Sequence, residues 1–282
     1  MKPAPFRYAR PTSVAEVVGL LATHGAAARL LAGGQSLMPL MLRRVERPAL
    51  LIDINRITGL DEIEIQPTRI RMGALVRQEQ ALRSPIIAQA VPGLAAALAW
   101  VANPVVRQRG TVIGNLLTNS PGAELPAVAL ALGAEFAVRH AGGEEIMPAE
   151  ALLGPQRRLS PQALVTHVLW PRRPARAGFY EVARRDGHAP VVSSLVTLTG
   201  EDCRVALSGV CPTGLSCPAM ARMIAQQFPA LPATQELARA LEEDLTGPLY
   251  ADAHSSARYR LQVAPVVSQR ATRDMILQAG AA

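Results

Sequence analysis

The chain has 282 residues, 49% of them hydrophobic and 18% charged, with a formal net charge of +7. That length and apolar content give one large domain or two to three small ones, and they exclude a disordered chain. No apolar run approaches the ~18 residues of a membrane span, and the opening MKPAPFRYARPTS lacks the apolar core of a secretory signal, so a cytoplasmic protein is expected.

Nearly all the positive charge is arginine, scattered in pairs such as Arg43-Arg44, Arg157-Arg158, Arg172-Arg173 and Arg184-Arg185. A nucleic-acid binder concentrates charge in a stripe with interleaved aromatics, so no nucleic-acid partner is expected. Cys203, Cys211 and Cys217 have neither metal-knuckle nor iron–sulfur spacing, and the histidines form no H-x-x-x-H pair. No protein-bound metal is expected.

In chain order, Ser13 and Glu16 give a capping pattern before Val14, Val17, Val18 and Leu21 at helical spacing, and Gly25 stops that helix. A short buried strand (Ala28–Leu31), a glycine turn, a helix (Leu37–Arg44) and a second buried strand (Ala49–Ile54) follow. Glu62–Gln66 and Arg69–Gly73 alternate around Pro67-Thr68 and predict a hairpin. Helices are predicted near Gln78–Ala90 and Gly93–Val101, then a long irregular segment, Asn103–Pro121. A helix (Glu124–Leu132) and strands Glu135–Arg139 and Val165–Trp170 precede a boundary at Pro171 and Pro174. Three further strands (Gly178–Arg184, Pro190–Leu198, Arg204–Val210) and three helices (Ala219–Gln227, Gln235–Leu245, Ser255–Leu277) predict an α+β domain with an antiparallel sheet. Pro265 is expected to kink or break the last helix.

Two glycine segments carry chemistry. Ala32-Gly33-Gly34-Gln35-Ser36 sits between a strand and a helix N-terminus, where free N–H groups favour a phosphate. Gly110-Thr111-Val112-Ile113-Gly114-Asn115 lies in the irregular segment, and such segments are uncommon in compact domains unless functional. Neither a Rossmann fingerprint, a P-loop nor a catalytic triad is present. A tight strand–helix turn explains the first segment equally well.

The order A32-G-G-Q-S-L-M-P, P48-A-L-L-I-D-I-N, R107-Q-R-G-T-V-I-G-N, A183-R-R-D-G-H, R204-V-A-L-S-G-V and H254-S-S-A-R-Y-R resembles the FAD-binding medium subunits of the xanthine dehydrogenase/carbon monoxide dehydrogenase family of molybdenum hydroxylases. The resemblance spans essentially the whole chain. It implies a two-part FAD-binding domain of the PCMH (vanillyl-alcohol oxidase-like) type at about 1–174, with subdomains about 1–56 and 57–174. A smaller C-terminal α+β domain of CO dehydrogenase flavoprotein type follows at 175–282. It also implies non-covalent FAD, its pyrophosphate held by Ala32, Gly33, Gly34, Gln35 and Ser36 and by Gly110, Thr111, Val112, Ile113, Gly114 and Asn115. Ser120 falls near the flavin's polyol or adenosine end, Leu164 near the adenine, and Arg184 in a basic segment near the cofactor. On this resemblance Gly34→Val is expected to abolish FAD binding in a folded subunit.

The expected role is electron transfer through FAD to an external acceptor, with no general acid or base. A large subunit would carry the molybdenum cofactor and a small one two [2Fe–2S] clusters, in a heterotrimer or dimer of heterotrimers. Ile113 stands where the family has glycine, and Ser120 where it often has aspartate. If the loop keeps the family's path Ile113 is strained, and if the path shifts one phosphate contact is lost; on either route Ile113→Gly is expected to tighten FAD binding. Two alternatives stay open: a structural subunit of the same assembly that lacks FAD, and a self-contained flavin oxidase.

Overall fold

The computed structural model describes residues 2–118, 120–154, 156–172, 176–185 and 187–277. Its first unit is a small parallel sheet. Strands β1 (Arg7–Ala9), β2 (Ala28–Leu31) and β3 (Leu50–Asp53) lie in the order β1-β3-β2. Helix α1 (Val14–His24) leads into β2, and α2 (Leu37–Leu42) into β3. The Ser13 hydroxyl accepts the Glu16 N–H at 3.2 Å, and Gly25 ends α1 at φ 49°. Strand β3 is buried at every position, as a central parallel strand must be.

The second unit is a five-stranded antiparallel sheet in the order β4-β5-β8-β6-β7. It comprises β4 (Ile63–Ile65), β5 (Arg69–Gly73), β6 (Glu135–His140), β7 (Gly143–Pro148) and β8 (Leu164–Pro171). The hairpin around Pro67-Thr68 is present, with Ile65 opposite Ile70. Between β5 and β6 run α3 (Gln78–Leu82), α4 (Pro85–Ala90), α5 (Pro92–Leu98), α6 (Pro104–Arg109), α7 (Val112–Thr118) and α8 (Glu124–Leu132), and α9 (Ala149–Leu153) precedes β8.

Several sequence expectations need correction here. The helix expected over Gln78–Ala90 is two, because Ser84 caps the Ile87 N–H and Pro85 restarts the helix at its first position. The segment 103–121 is mostly helical, not irregular. Asn103 Oδ1 accepts the Val106 N–H at 3.0 Å and Pro104 opens α6, so residues with loop signatures act as caps. Strand β7 and helix α9 were not foreseen. The strand is an exposed edge carrying Glu144 and Glu145, which hides its period-two pattern.

The third unit is an antiparallel sheet in the order β12-β11-β10-β9, built from β9 (Arg176–Ala183), β10 (Pro190–Thr199), β11 (Asp202–Ser208) and β12 (Leu215–Ser216). It is followed by α10 (Pro218–Gln227), α11 (Thr234–Asp244) and α12 (Ala257–Leu277). The last helix is unbroken through Pro265, which is buried within it. Its contacts with β9 and β10 outweigh the lost hydrogen bond. At Gly178 a Cβ would lie 1.9 Å from the Ala271 carbonyl oxygen, so only glycine lets α12 approach β9 this closely.

Helices α5 and α8 of the middle unit also pack on this sheet. Ser208 Oγ donates to the Ala123 carbonyl at 2.8 Å, and Trp100 packs on Tyr180 at 5.4 Å between ring centroids. The carboxyl groups of Glu124 of α8 and Glu181 of β9 are among those buried. Burial pushes Glu124 up to about 7, against its own main-chain N–H and the Asn115 side chain. Burial and then the charge of Glu124 push Glu181 up to about 8.

These raised values have a definite sign. Both carboxyls stay protonated in the fold at a pH where the unfolded chain ionises them, near 4.3. Their contribution to stability is whole below that value and is lost as pH rises through about 7 to 8. Urea unfolding of the wild type should therefore show stability falling between about pH 5 and 8, by on the order of 1–3 kcal/mol more than in Glu181→Gln. Parallel pH profiles for the two proteins would contradict this.

Candidate cofactor site

The site begins with two short segments that lie far apart in sequence and meet in space. The first follows β2. Gly33 and Gly34 turn the chain, Gly34 at φ 71°, and the Met38 N–H returns to the Gly34 carbonyl at 3.1 Å. The second follows α6. Gly110 and Thr111 turn the chain into α7, where the Thr111 hydroxyl accepts the Gly114 N–H at 3.0 Å.

Their contact is through bare backbone. A Cβ on Gly33 would lie 2.4 Å from the Arg109 carbonyl oxygen and 3.0 Å from Gly110 Cα. A Cβ on Gly110 would meet Gln78 Oε1 at 2.9 Å. Thr118 Oγ1 reaches Ser36 Oγ at 3.4 Å. Ala32 through Ser36 thus lie beside Gly110, Thr111 and the first turns of α7.

Polar side chains hold this arrangement from below. Tyr8 donates to Asp53 Oδ2 at 2.5 Å, and Asn55 Nδ2 donates to Asp53 Oδ1 at 2.6 Å and to the Ala32 carbonyl at 2.9 Å. Arg77 Nη2 donates to Asn55 Oδ1 at 2.7 Å, and its Nη1 to the Arg109 carbonyl at 2.8 Å. Burial raises the Asp53 pKa, but the bonds from Tyr8 and Asn55 and the charge of Arg10 outweigh it and leave the carboxyl below its usual range. Desolvation lowers the Arg77 pKa, which the charges of Asp61 and Asp53 oppose. Sequence reasoning missed these residues. Asp53 and Asn55 were visible as two polar positions closing an apolar strand, but Arg77 had no local signal.

Asn115 and Ile113 lie in α7, not in a loop. Asn115 Oδ1 is buried without a protein partner among the described residues. Ile113 is 3% exposed and packs in the main core with Val112 and Leu116. It is absent from the positive-φ residues, which among the described non-glycines are Arg44 and Ala102. The expectation of a strained Ile113 is therefore corrected: the chain is helical there, and helix suits isoleucine without strain.

The remaining sequence candidates make other contacts. Ser120 is exposed, and its carbonyl accepts the Ala123 N–H at 2.9 Å. Leu164 is 1% exposed, inside the core at the start of β8. Arg184 is exposed and pairs with His254 Nδ1 at 2.9 Å. None of the three has a hydrogen bond to either glycine segment among the described residues.

The junction fits a dinucleotide pyrophosphate. Its side chains are minimal. Among the described residues, no protein acceptor takes the N–H groups of Gly33, Gly34, Gln35, Ser36 and Ile113. Open main-chain donors flanked by glycine suit phosphate oxygens.

The fold thus places two glycine segments at one junction, in a parallel-sheet unit joined to an antiparallel one and followed by an α+β unit. The comparisons give the family. The family model described as the FAD binding domain in molybdopterin dehydrogenase matches residues 4–173. The 6-hydroxypseudooxynicotine dehydrogenase complex subunit alpha of Paenarthrobacter nicotinovorans is 35% identical over 282 residues, covering 96% of this chain and 94% of that one. The carbon monoxide dehydrogenase medium chain of Afipia carboxidovorans is 31% identical over 280 residues, covering 96% of each. A structure of carbon monoxide dehydrogenase from Hydrogenophaga pseudoflava, lacking the Mo-pyranopterin moiety of its cofactor, superposes with a TM-score of 0.89 at 30% identity and 99% coverage of both chains. The chain belongs to the FAD-binding medium subunits of the molybdenum hydroxylases, and it is an oxidoreductase subunit. Among the described residues no helix is long and apolar enough to cross a membrane.

Proposed function

We propose that this subunit carries electrons from the [2Fe–2S] clusters of a small partner subunit, through non-covalently held FAD, to an external acceptor. A large partner with the molybdenum cofactor oxidises the substrate. The three chains form a heterotrimer or a dimer of heterotrimers. The observation that carries the reading is the meeting of Gly33 and Gly110, with open amides on both sides.

In this reading Ala32 to Ser36 and Gly110 to Asn115 cradle the pyrophosphate, largely through main-chain N–H groups. Ser120, Leu164 and Arg184 belong to more distant parts of the cofactor's path. FAD, when bound, supplies both one- and two-electron redox chemistry. The chain's own residues bind and orient it. Its FAD-binding part spans about 1–174 and its C-terminal part 175–282. The three free thiols, Cys203, Cys211 and Cys217, suit the reducing cytoplasm.

The test is isolation of the tagged chain from its native cells. Two further chains should accompany it, bringing molybdenum and about four iron atoms per copy, the content of two [2Fe–2S] clusters. Isolation as a flavoprotein alone, free of both metals, would contradict the electron-transfer role and favour a self-contained oxidase.

A further inference from the structure

We propose that Arg77, acting through Asn55, is the positioning residue that fixes the spacing of the two glycine segments and so sets FAD affinity without touching the cofactor. The inference rests on the reading of those segments as the pyrophosphate cradle.

The geometry is a continuous bridge. Asn55 Nδ2 holds the Ala32 carbonyl at 2.9 Å, and Arg77 Nη2 holds Asn55 Oδ1 at 2.7 Å. Arg77 Nη1 then holds the Arg109 carbonyl at 2.8 Å. Ala32 precedes Gly33 and Arg109 precedes Gly110, so each end of the bridge is one residue from a glycine. The Arg109 carbonyl is also the group against which Gly33 is pressed. The main chain at Arg77 grips the second segment as well: it forms an isolated bridge with Thr111, flanked by Val112 N–H to Val76 O at 3.0 Å and Gln78 N–H to Gly110 O at 2.9 Å.

The chemistry of the side chain fits a spacer. Arg77 is in no ion pair among the described residues. Its fork is instead committed to a carbonyl and an amide oxygen. A planar guanidinium holds two acceptors at a set distance and angle, which an ammonium cannot do. Positive charge near a pyrophosphate is a competing explanation, and lysine preserves it.

The experiment is fluorescence titration of the full-length chain, stripped of flavin, with FAD at fixed salt. Arg77→Lys, Arg77→Met, Asn55→Ala, the Arg77→Met/Asn55→Ala double variant and Gly33→Ala are compared with wild type. Thermal unfolding of each apo-protein is recorded beside the titration. Arg77→Lys and Arg77→Met should each raise the Kd about 10- to 100-fold, the scale of one or two charge-assisted hydrogen bonds. The apo midpoint of Arg77→Lys should stay within about 3 °C of wild type. The double variant should bind no more than about threefold worse than the poorer single one, because a bridge cut twice is cut once.

Wild-type affinity in Arg77→Lys would show that charge alone matters and overturn the clamp. Multiplying losses in the double variant would also overturn it. So would an affinity loss matched by an equal loss of apo stability, because that marks a merely structural residue. If Arg77→Met does not fold, Arg77→Lys and Asn55→Ala carry the test. FAD retained by Gly33→Ala at native affinity would refute the cradle reading itself. FAD lost there but held normally by Arg77→Lys would refute the clamp alone.

Discussion

Gly33→Ala is expected to lower FAD affinity by about 5- to 150-fold while leaving most of the fold intact. The added methyl would lie 2.4 Å from the Arg109 carbonyl oxygen and 3.0 Å from Gly110 Cα. Both obstacles are backbone, so no side chain can swing aside. Relief requires the two segments to move apart by about 1 Å to reach ordinary contact, and forced overpacking of this kind costs about 1–3 kcal/mol. The cost falls on the junction that has to close around the ligand, because most of the core lies in the sheets and helices behind it. Gly34→Val acts differently. At φ 71° a β-branched residue is strained by its own backbone, while the atoms nearest its Cβ, Met38 Cγ and Leu31 Cδ1, belong to side chains and not to backbone. Flavin fluorescence titration and circular dichroism of the apo-proteins separate the two effects. A folded Gly33→Ala protein with native FAD affinity would mean that the close approach of the segments is unrelated to the cofactor.

Ile113→Gly should destabilise the subunit by about 3–5 kcal/mol, because two losses combine. Truncating a buried isoleucine to alanine costs about 2–5 kcal/mol through lost burial and the cavity it leaves. Glycine costs up to about 1 kcal/mol more than alanine inside a helix. No strain is released in return, because Ile113 holds a helical conformation in α7. Urea unfolding of the apo-protein reads the effect directly. A variant as stable as wild type, with tighter FAD binding, would restore the picture of a strained family loop.

The reversal at Ile113 marks where local sequence reasoning stops. The motif pattern correctly places glycine residues on both sides of the junction, because a requirement for small side chains is written into single positions. It does not reveal that Val112 onward is helix, since that follows from packing of Val112, Ile113 and Leu116 into a core made by distant residues. Strand β3 was legible as consecutive apolar residues, Leu50 to Ile52, and β10 as a run rich in valine and leucine. The exposed edge strand β7 and the three-residue β1 were not, because charged or short edges show no period. Pro265 misled for a similar reason: the contacts of α12 with β9 and β10 hold a helix that its own sequence would interrupt.

The same limit applies to the site. Ala32 to Ser36 and Gly110 to Asn115 were legible, and the structure brings them together. Arg77 was not, because its three connections reach 22, 32 and, through its backbone bridge to Thr111, 34 residues along the chain. Glu124 and Glu181 escaped notice likewise. Each looks like an ordinary surface acid until α8 packs on the sheet that contains β9 and both are buried.

The most direct measurement is the identity of the flavin released when the purified subunit or complex is denatured. In the proposed reading two facing glycine segments hold a pyrophosphate, which FMN lacks. FAD is therefore expected, with no FMN, in about one-to-one ratio to the chain and freed by denaturation without proteolysis. A colourless protein that takes up no FAD on reconstitution, or one that releases FMN, would contradict it.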